Sequence, residues 1–249
     1  MQKNKIVNFI TKYHLQGQCQ QVKIKVKPDK LVTSFATEQK DLLGFVAVSD
    51  LEFPSLPEDV ISGNEMEIGV FNTSTLSKIL SVMGNQVDIS FKSEMGKVYQ
   101  MSMDDGTFQS NIMLADLDII EEPPKLNDLP DFEMEFNFLG SAFSENFIKA
   151  TNALPDSNTV TFIDSGDGVD VVLNHADHNT DNIKISLIPD AKEGSFQNMR
   201  FNSDLLRDVL VANKDATSMK FFLSTKGLLK MQFQGDGFAT VYYLVMLQS

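Results

Sequence analysis

Three groups of residues have side chains whose type and spacing could do chemistry. The first is Asp164-Ser-Gly-Asp-Gly-Val-Asp170, which sets carboxylates at short intervals along a glycine-bearing turn, in the manner of a calcium loop. It lacks the ligand spacing and the closing glutamate of such loops, so a hairpin turn is the better reading. The second is His175 and His178 with Asp177 and Asp181, all residue types that ligate metals. The chain has 3 histidines and no helix to hold this pair at i, i+4, so no metal is expected. The third is the single cysteine, Cys19, which has no activating neighbour in sequence. It cannot close an internal disulfide and fits a reducing compartment. Neither a phosphate-cradling glycine loop, a nucleophile elbow nor zinc spacing is found. The expectation is a protein that is not an enzyme and takes no cofactor. A metal-dependent hydrolase built on the acidic clusters is the alternative from another class.

Cations at helical spacing form a further set. Lys5, Asn8 and Lys12 fall at i, i+3 and i+7, opposite Ile6 and Ile10. Lys78 lies on the polar side of a second amphipathic segment among Ser74, Ser77 and Ser81, and Lys149 and Arg207 take similar places on a third and a fourth. By itself a lysine on the wet face of an amphipathic helix is solvated. Lys23, Lys25, Lys27 and Lys30 make a basic run, and the first three alternate with Val22, Ile24 and Val26. A period of two places them on the solvated face of a strand.

The elements that position these residues come in two copies. The segment from Phe71, FNTSTLSKILSVMGNQVDISF, is answered by the segment from Phe201, FNSDLLRDVLVANKDATSMKFF. The offset is 201 − 71 = 130, and it also sets Leu76 on Leu206, Ile79 on Val209 and Leu80 on Leu210. In each copy a helix is expected, N-capped by Thr73 or Ser74 and by Ser203 or Asp204. The period then changes to two through Val87, Ile89 and Phe91, and through Met219, Phe221 and Leu223 followed by Leu229, Met231 and Phe233. Upstream, Asn4–His14 and Phe143–Leu154 are amphipathic, and each is followed by strand-like residues. Each half reads as helix, strands, helix, strands. Between them Ile119-Ile-Glu-Glu-Pro-Pro-Lys-Leu-Asn-Asp-Leu-Pro130 is proline-rich and acidic, which prevents helix and disfavours central strand.

At 249 residues the chain has room for two such units. No run of ~18 apolar residues is present to span a membrane, and Asn8, Thr11 and Lys12 interrupt the N-terminal apolar stretch that a signal peptide would need. A cytoplasmic location without secretion is therefore expected. The balance of 21 basic and 34 acidic residues, −13, opposes a protein that grips phosphates tightly. It is compatible with one that surrounds a polyanion with a local basic lining.

Two α+β repeats, an acidic proline-bearing connector and a hydrophobic final strand together resemble the two-domain DNA sliding clamps, the family of proliferating-cell nuclear antigen and of the clamps of T-even-like tailed phages. Asn182-Ile-Lys-Ile-Ser186, the Phe201 helix and Ala239-Thr-Val-Tyr-Tyr-Leu-Val-Met246 follow the order of the nuclear type, while Phe71–Phe91 looks closer to the phage clamps. The resemblance implies the clamp fold, with domains 1–118 and 131–249 joined by a connector at 119–130, each domain packing two helices on antiparallel sheets. It also implies a homotrimeric ring closed head-to-tail by edge strands. Those strands would be Phe108–Asp116, with Phe108, Ile112 and Leu114, and Ile183–Ile188, with Ile183, Ile185 and Leu187. Lys5, Lys12, Lys78, Lys149 and Arg207 would face duplex DNA through loose, sequence-independent phosphate contacts. Leu43, Ile119, Ile120, Pro123, Leu228, Tyr243 and Val245 would receive apolar side chains of a DNA polymerase or clamp loader. An open monomeric or dimeric processivity factor of the herpesvirus kind is the alternative within the same fold, and an adaptor on a duplicated domain is another.

Overall fold

The computed structural model describes residues 2–51, 53, 56–62, 65–175 and 180–248. His178 and Asp177 lie outside the described residues. The chain is α+β and divides into two compact units. The first comprises Met1–Glu38, Gly44–Pro124 and Gly237–Thr240, and the second Gln39–Leu43, Lys125–Asp236 and Val241–Ser249.

The first unit contains helix α1 (Lys3–His14), strands β1 (Val22–Lys27), β2 (Lys30–Ala36), most of β3 (Leu42–Val48) and β4 (Met66–Val70), helix α2 (Thr73–Val82), and strands β5 (Asp88–Glu94), β6 (Lys97–Asp104) and β7 (Gln109–Met113). β1 pairs antiparallel with β2 on one side and β4 on the other. A separate antiparallel sheet has the order β5–β6–β7. Alternation decides which face is buried: Val22, Ile24 and Val26 point inward, Lys23, Lys25 and Lys27 outward. α1 lays Ile6, Phe9, Ile10 and Tyr13 inward, and α2 lays Leu76 and Leu80 inward. The two helices run antiparallel: the Lys3 N–H donates to Asn85 O at the far end of α2 (2.9 Å), while His14 Nε2 lies 3.2 Å from Ser74 Oγ at its start.

The second unit contains β8 (Met134–Leu139), α3 (Ala142–Ala153), β9 (Thr159–Asp164), β10 (Val169–Leu173), β11 (Ile183–Leu187), β12 (Ala191–Lys192), β13 (Met199–Asn202), α4 (Ser203–Ala212), β14 (Ser218–Ser224), β15 (Leu228–Gly235) and most of β16 (Phe238–Val245). One sheet has the order β11–β10–β9–β13, and β12–β8–β14–β15 forms another run of antiparallel neighbours. The order β11–β10–β9–β13 repeats the first unit's β3–β2–β1–β4, so the duplication holds at the level of topology. The core of this unit is aromatic. The Phe221 ring meets those of Phe138 at 5.0 Å, Phe143 at 5.6 Å and Phe233 at 6.3 Å, all edge-on, each such pair adding about 0.5–1.5 kcal/mol beyond burial.

The repeated helix corrects the expected caps. Both α2 and α4 span ten residues at the 130-residue offset, but the caps are Asn72 and Asn202, one position earlier than expected. Asn72 Oδ1 accepts from the Thr75 N–H (2.8 Å), and Asn202 Oδ1 from those of Asp204 and Leu205 (2.9 and 3.1 Å). The hydroxyls of the following residues turn inward instead. Thr73 Oγ1 donates to Gln20 O (2.9 Å) and Ser203 Oγ to Ser157 O (2.7 Å), and both residues are fully buried. Each copy thus divides the work between an amide that caps and a hydroxyl that ties the helix to the preceding loop. Phe71 and Phe201 show where the copies diverge. Phe201 belongs to β13 and packs edge-on against Phe162 (5.5 Å), whereas Phe71 follows the end of β4 and is exposed.

Candidate functional site

The helical faces are the first candidate. In α2 the buried residues are Thr73, Leu76 and Leu80, which leaves Lys78 on the crest of the exposed side with Thr75 and Ser81 beside it. In α1 the crest is Asn4 and Thr11, uncharged, and Lys5 lies on its flank with its ammonium donating to Asp50 O (2.7 Å). Lys3, which the spacing argument missed, lies on the other flank and donates through its ammonium to Met83 O. Its signal was present as the first residue of the Lys-Asn-Lys opening of the helix.

Lys12 corrects the expected basic stripe. It was expected on the wet face with Lys5, yet it is fully buried, its ammonium 3.6 Å from the centre of the Phe238 ring. Residue spacing along α1 puts Lys12 at the margin of the apolar side. A residue more than 200 positions away in sequence covers it, which no local pattern records.

The helices of the second unit carry their cations differently. Lys149 is exposed and paired one turn back with Glu145 (4.0 Å). Arg207 is half-buried between two carboxylates, Asp204 (3.0 Å) and Asp208 (3.1 Å). Asp208 is itself buried, so its charge requires such a partner. Seven of the ten residues of α4 are buried, leaving only a narrow exposed strip. The strand lysines are also matched: Lys23 with Glu122 (3.1 Å), and Lys25 and Lys27 with Glu65 (3.5 and 2.8 Å).

Two sheet edges form the second candidate. β7 lies at one edge of its three-stranded sheet and β11 at one edge of its four-stranded sheet. In β7 the alternation sets Ile112 opposite Met101 on the inner face, half-exposed, with Met113 exposed on the other face. Phe108 precedes the strand and is exposed, and Leu114 follows it, its N–H donating to Tyr99 O (2.9 Å). In β11, Ile183, Ile185 and Leu187 lie opposite Leu173, Val171 and Val169 and are half-exposed, β11 being the edge strand of its sheet among the described residues. Lys184 and Ser186 on the outer face bind Asp170 (3.1 and 2.6 Å). β11 alternates apolar inside and polar outside, whereas β7 sets Ser110 beside Ile112 on the inner face and Met113 on the outer; each strand leaves one row of backbone groups at a sheet edge.

The third candidate is the connector and the chain's final strand. Ala115 N–H donates to Gly69 O (2.9 Å), Lys97 pairs with Asp116 (2.7 Å) and Lys23 with Glu122, so the segment leading into the connector and the connector's first residues are clipped to the first unit. The Lys97 ammonium, and after it the Asp118 N–H, holds the Asp116 carboxyl below the usual carboxylate range. Ile120 packs over Gly69, where a β-carbon would come within 2.8 Å of Ile120 Cδ1 and 2.6 Å of Ala115 O. Ile120 is therefore buried, while Ile119 next to it is 61% exposed and Pro123 half-exposed. In the second unit, Leu43 and Tyr243 are buried, Leu228 half-exposed and Val245 exposed. The Val245 N–H donates to Asp41 O (2.9 Å) and the Met246 N–H to Gly227 O (2.9 Å). Of the residues expected to contact a partner, Leu43, Ile120 and Tyr243 are buried by this chain's own atoms, and burial raises the Tyr243 phenol above its usual pKa.

The residues considered for catalysis have structural partners. Asp164 Oδ1 accepts from the Lys192 ammonium (2.5 Å), which also meets Gly166 O, and Asp164 Oδ2 accepts from the Phe196 N–H (3.2 Å). The cation held by this loop is a lysine of the same chain. Cys19 is buried and its thiol, pushed up to about 12 by burial, donates to Gln21 O (3.3 Å). No group of three or more His, Cys, Asp or Glu side chains among the described residues is arranged to hold a metal. An apolar cavity of about 30 Å³ in the first unit, lined by Ile6, Ile10, Ile68, Leu76, Ile89 and Met101 among others, has room for roughly one water-sized body. No helix among the described residues is long and apolar enough to cross a membrane.

This architecture is the fold of the sliding clamps of the proliferating-cell nuclear antigen type. Similar solved structures include A. fulgidus PCNA bound to the C-terminal region of FEN-1 (TM-score 0.75, 14% identity, covering 100% of this chain and 97% of that one). The PCNA2–PCNA3 complex from Sulfolobus tokodaii is similar at TM-score 0.71 and 12% identity, covering 99% and 97%. Proliferating cellular nuclear antigen from Entamoeba histolytica is similar at TM-score 0.71 and 14% identity, covering 99% and 96%. No protein-family model and no curated protein sequence matches the chain.

Proposed function

We propose that the chain is the subunit of a DNA sliding clamp, a ring that holds a polymerase on duplex DNA by enclosing the duplex. The observation that carries the reading is a clamp fold over the whole chain whose edge strands β7 and β11 both stand ready to pair. A homotrimer closed by β7 of one copy against β11 of the next is a head-to-tail contact of the kind that generates rings. The PCNA2–PCNA3 complex supports subunit association through this fold.

Enclosure accounts for the charge of the chain. A topological link needs little affinity for phosphate, so a subunit at −13 can stay on DNA that it does not grip. The role is one of binding rather than catalysis. For partners, the PCNA of A. fulgidus takes the C-terminal region of FEN-1. On this reading Ile119 and Pro123 of the connector offer an apolar anchor point to a comparable tail of a polymerase or clamp loader.

The test has two parts. Mass photometry of the full chain should give a trimer, and Met113→Glu on β7 should shift it to monomer with an unchanged circular dichroism spectrum. Trimers should stay on nicked circular plasmid after loading and leave when the plasmid is linearised. Equal retention on both forms of DNA, or a wild-type chain that is monomeric at every concentration, refutes the ring.

A further inference from the structure

We infer that this chain meets DNA through the helices of its first unit, and that those of the second unit are charge-compensated and act as a neutral wall. The inference rests on the clamp reading and adds to it a division of labour between two halves that share one topology.

Helix α1, KNKIVNFITKYH, and helix α2, TSTLSKILSV, contain no acidic residue. In a chain with 34 acids this is a marked local departure in sign. The two cations on the flanks of α1 are held by neutral carbonyl oxygens, Lys3 by Met83 O and Lys5 by Asp50 O. A carbonyl positions an ammonium without cancelling its charge. Lys3 acts electrostatically on the Asp105 carboxyl, which itself accepts from the N–H groups of Phe108, Gly84 and Thr107. Lys78 is at the centre of the exposed side of α2, and its exposed neighbours are the hydroxyl-bearing Thr75 and Ser81 and, one turn on, the apolar Val82. One exposed and two half-buried cations, with no carboxylate on their helices, suit phosphates spaced along a backbone.

The second unit lacks these properties at corresponding elements. α3 answers Lys149 with Glu145, and α4 answers Arg207 with Asp204 and Asp208. With the buried Lys12 and Asp208 both left out, the ionised side chains on α3 and α4 sum to 2 − 2 = 0, against 3 − 0 = +3 for Lys3, Lys5 and Lys78 on α1 and α2. An ion-paired cation releases no counterion from DNA unless it first leaves its carboxylate. Contact with the duplex therefore falls to the first unit.

The experiment is the salt dependence of binding to a short blunt-ended duplex, read by fluorescence anisotropy on the full-length chain over a range of KCl. The slope of log K against log salt counts phosphate contacts, each worth about one unit. Lys5→Gln with Lys78→Gln should flatten the slope by at least about one unit and lower affinity about tenfold at low salt. Glu145→Gln should steepen it, because Lys149 is then released to phosphate while Arg207 stays held by Asp208. An unchanged slope in the first variant, or a flattening in Lys149→Gln as large as in Lys78→Gln, overturns the inference. The retention test on circular against linear plasmid is separate: its failure removes the ring and leaves the charge comparison to be judged on the duplex alone.

Discussion

Replacing Gly69 by alanine tests the connector clip through the sign of the effect. Gly69 lies in β4 in extended backbone, so a β-carbon is conformationally allowed there. Stiffening the unfolded chain by Gly→Ala at a compatible position stabilises by about 0.4–1 kcal/mol. Packing predicts the opposite. The added carbon would come within 2.6 Å of Ala115 O and 2.8 Å of Ile120 Cδ1. The isoleucine methyl can rotate away, but the carbonyl belongs to the backbone of a segment already bound to Gly69 O through the Ala115 N–H. Overpacking of this kind costs about 1–3 kcal/mol. If the connector lifts to relieve it, the hydrogen bond lost costs about 0.5–1.5 kcal/mol. After the backbone gain is subtracted, Gly69→Ala should destabilise the fold by up to about 2.5 kcal/mol in urea unfolding. Hydrogen exchange should quicken at Ala115 and Ile120, while α3 and α4 exchange as before. A variant more stable than wild type, with Ala115 protected as before, would show that the connector does not bear on Gly69.

Three further outcomes are expected. Asn202→Ala should cost about 1–2 kcal/mol in thermal or urea unfolding and Asn72→Ala less, about 1 kcal/mol, because Asn202 caps two N–H groups and Asn72 one; equal losses would contradict the difference in geometry. The Lys192 ammonium and then the Gly166 N–H hold the Asp164 carboxyl below its ordinary value. A depressed carboxylate stabilises the fold above its unfolded-state pKa and loses that contribution as the pH falls through the folded value. Lys192→Met should therefore be less stable than wild type at neutral pH, with the gap narrowing below the ordinary carboxylate range; a gap independent of pH would refute the pairing. Cys19, buried and with its thiol pushed up to about 12, should resist a thiol reagent at pH 8 in the folded protein and react fully in denaturant; rapid native reaction would show the site to be open.

The duplication was legible in sequence because it rests on local rules. A 3.6-residue period followed by a period of two, at a constant offset of 130, is enough to place α2, α4 and the strands behind them, since the apolar side of each element must find a core. The caps were misplaced by one residue because asparagine, threonine, serine and aspartate all cap well, and only the loop before the helix decides which of them turns inward. Edge strands were also readable, as alternating segments without proline. Charges were legible as positions and not as states. Sequence placed Lys5, Lys12, Lys78, Lys149 and Arg207 on helical faces. Folding buried Lys12 against Phe238, tied Lys149 and Arg207 to carboxylates and left Lys78 on an exposed crest. The sequence by itself determined the elements, their repetition and the polarity of each face, because these depend on neighbours within a turn or a strand. Tertiary structure alone decided which of these cations are buried or ion-paired and that Ile120 lies buried on Gly69 while Ile119 faces out. Burial and ion pairing depend on atoms brought together from distant parts of the chain.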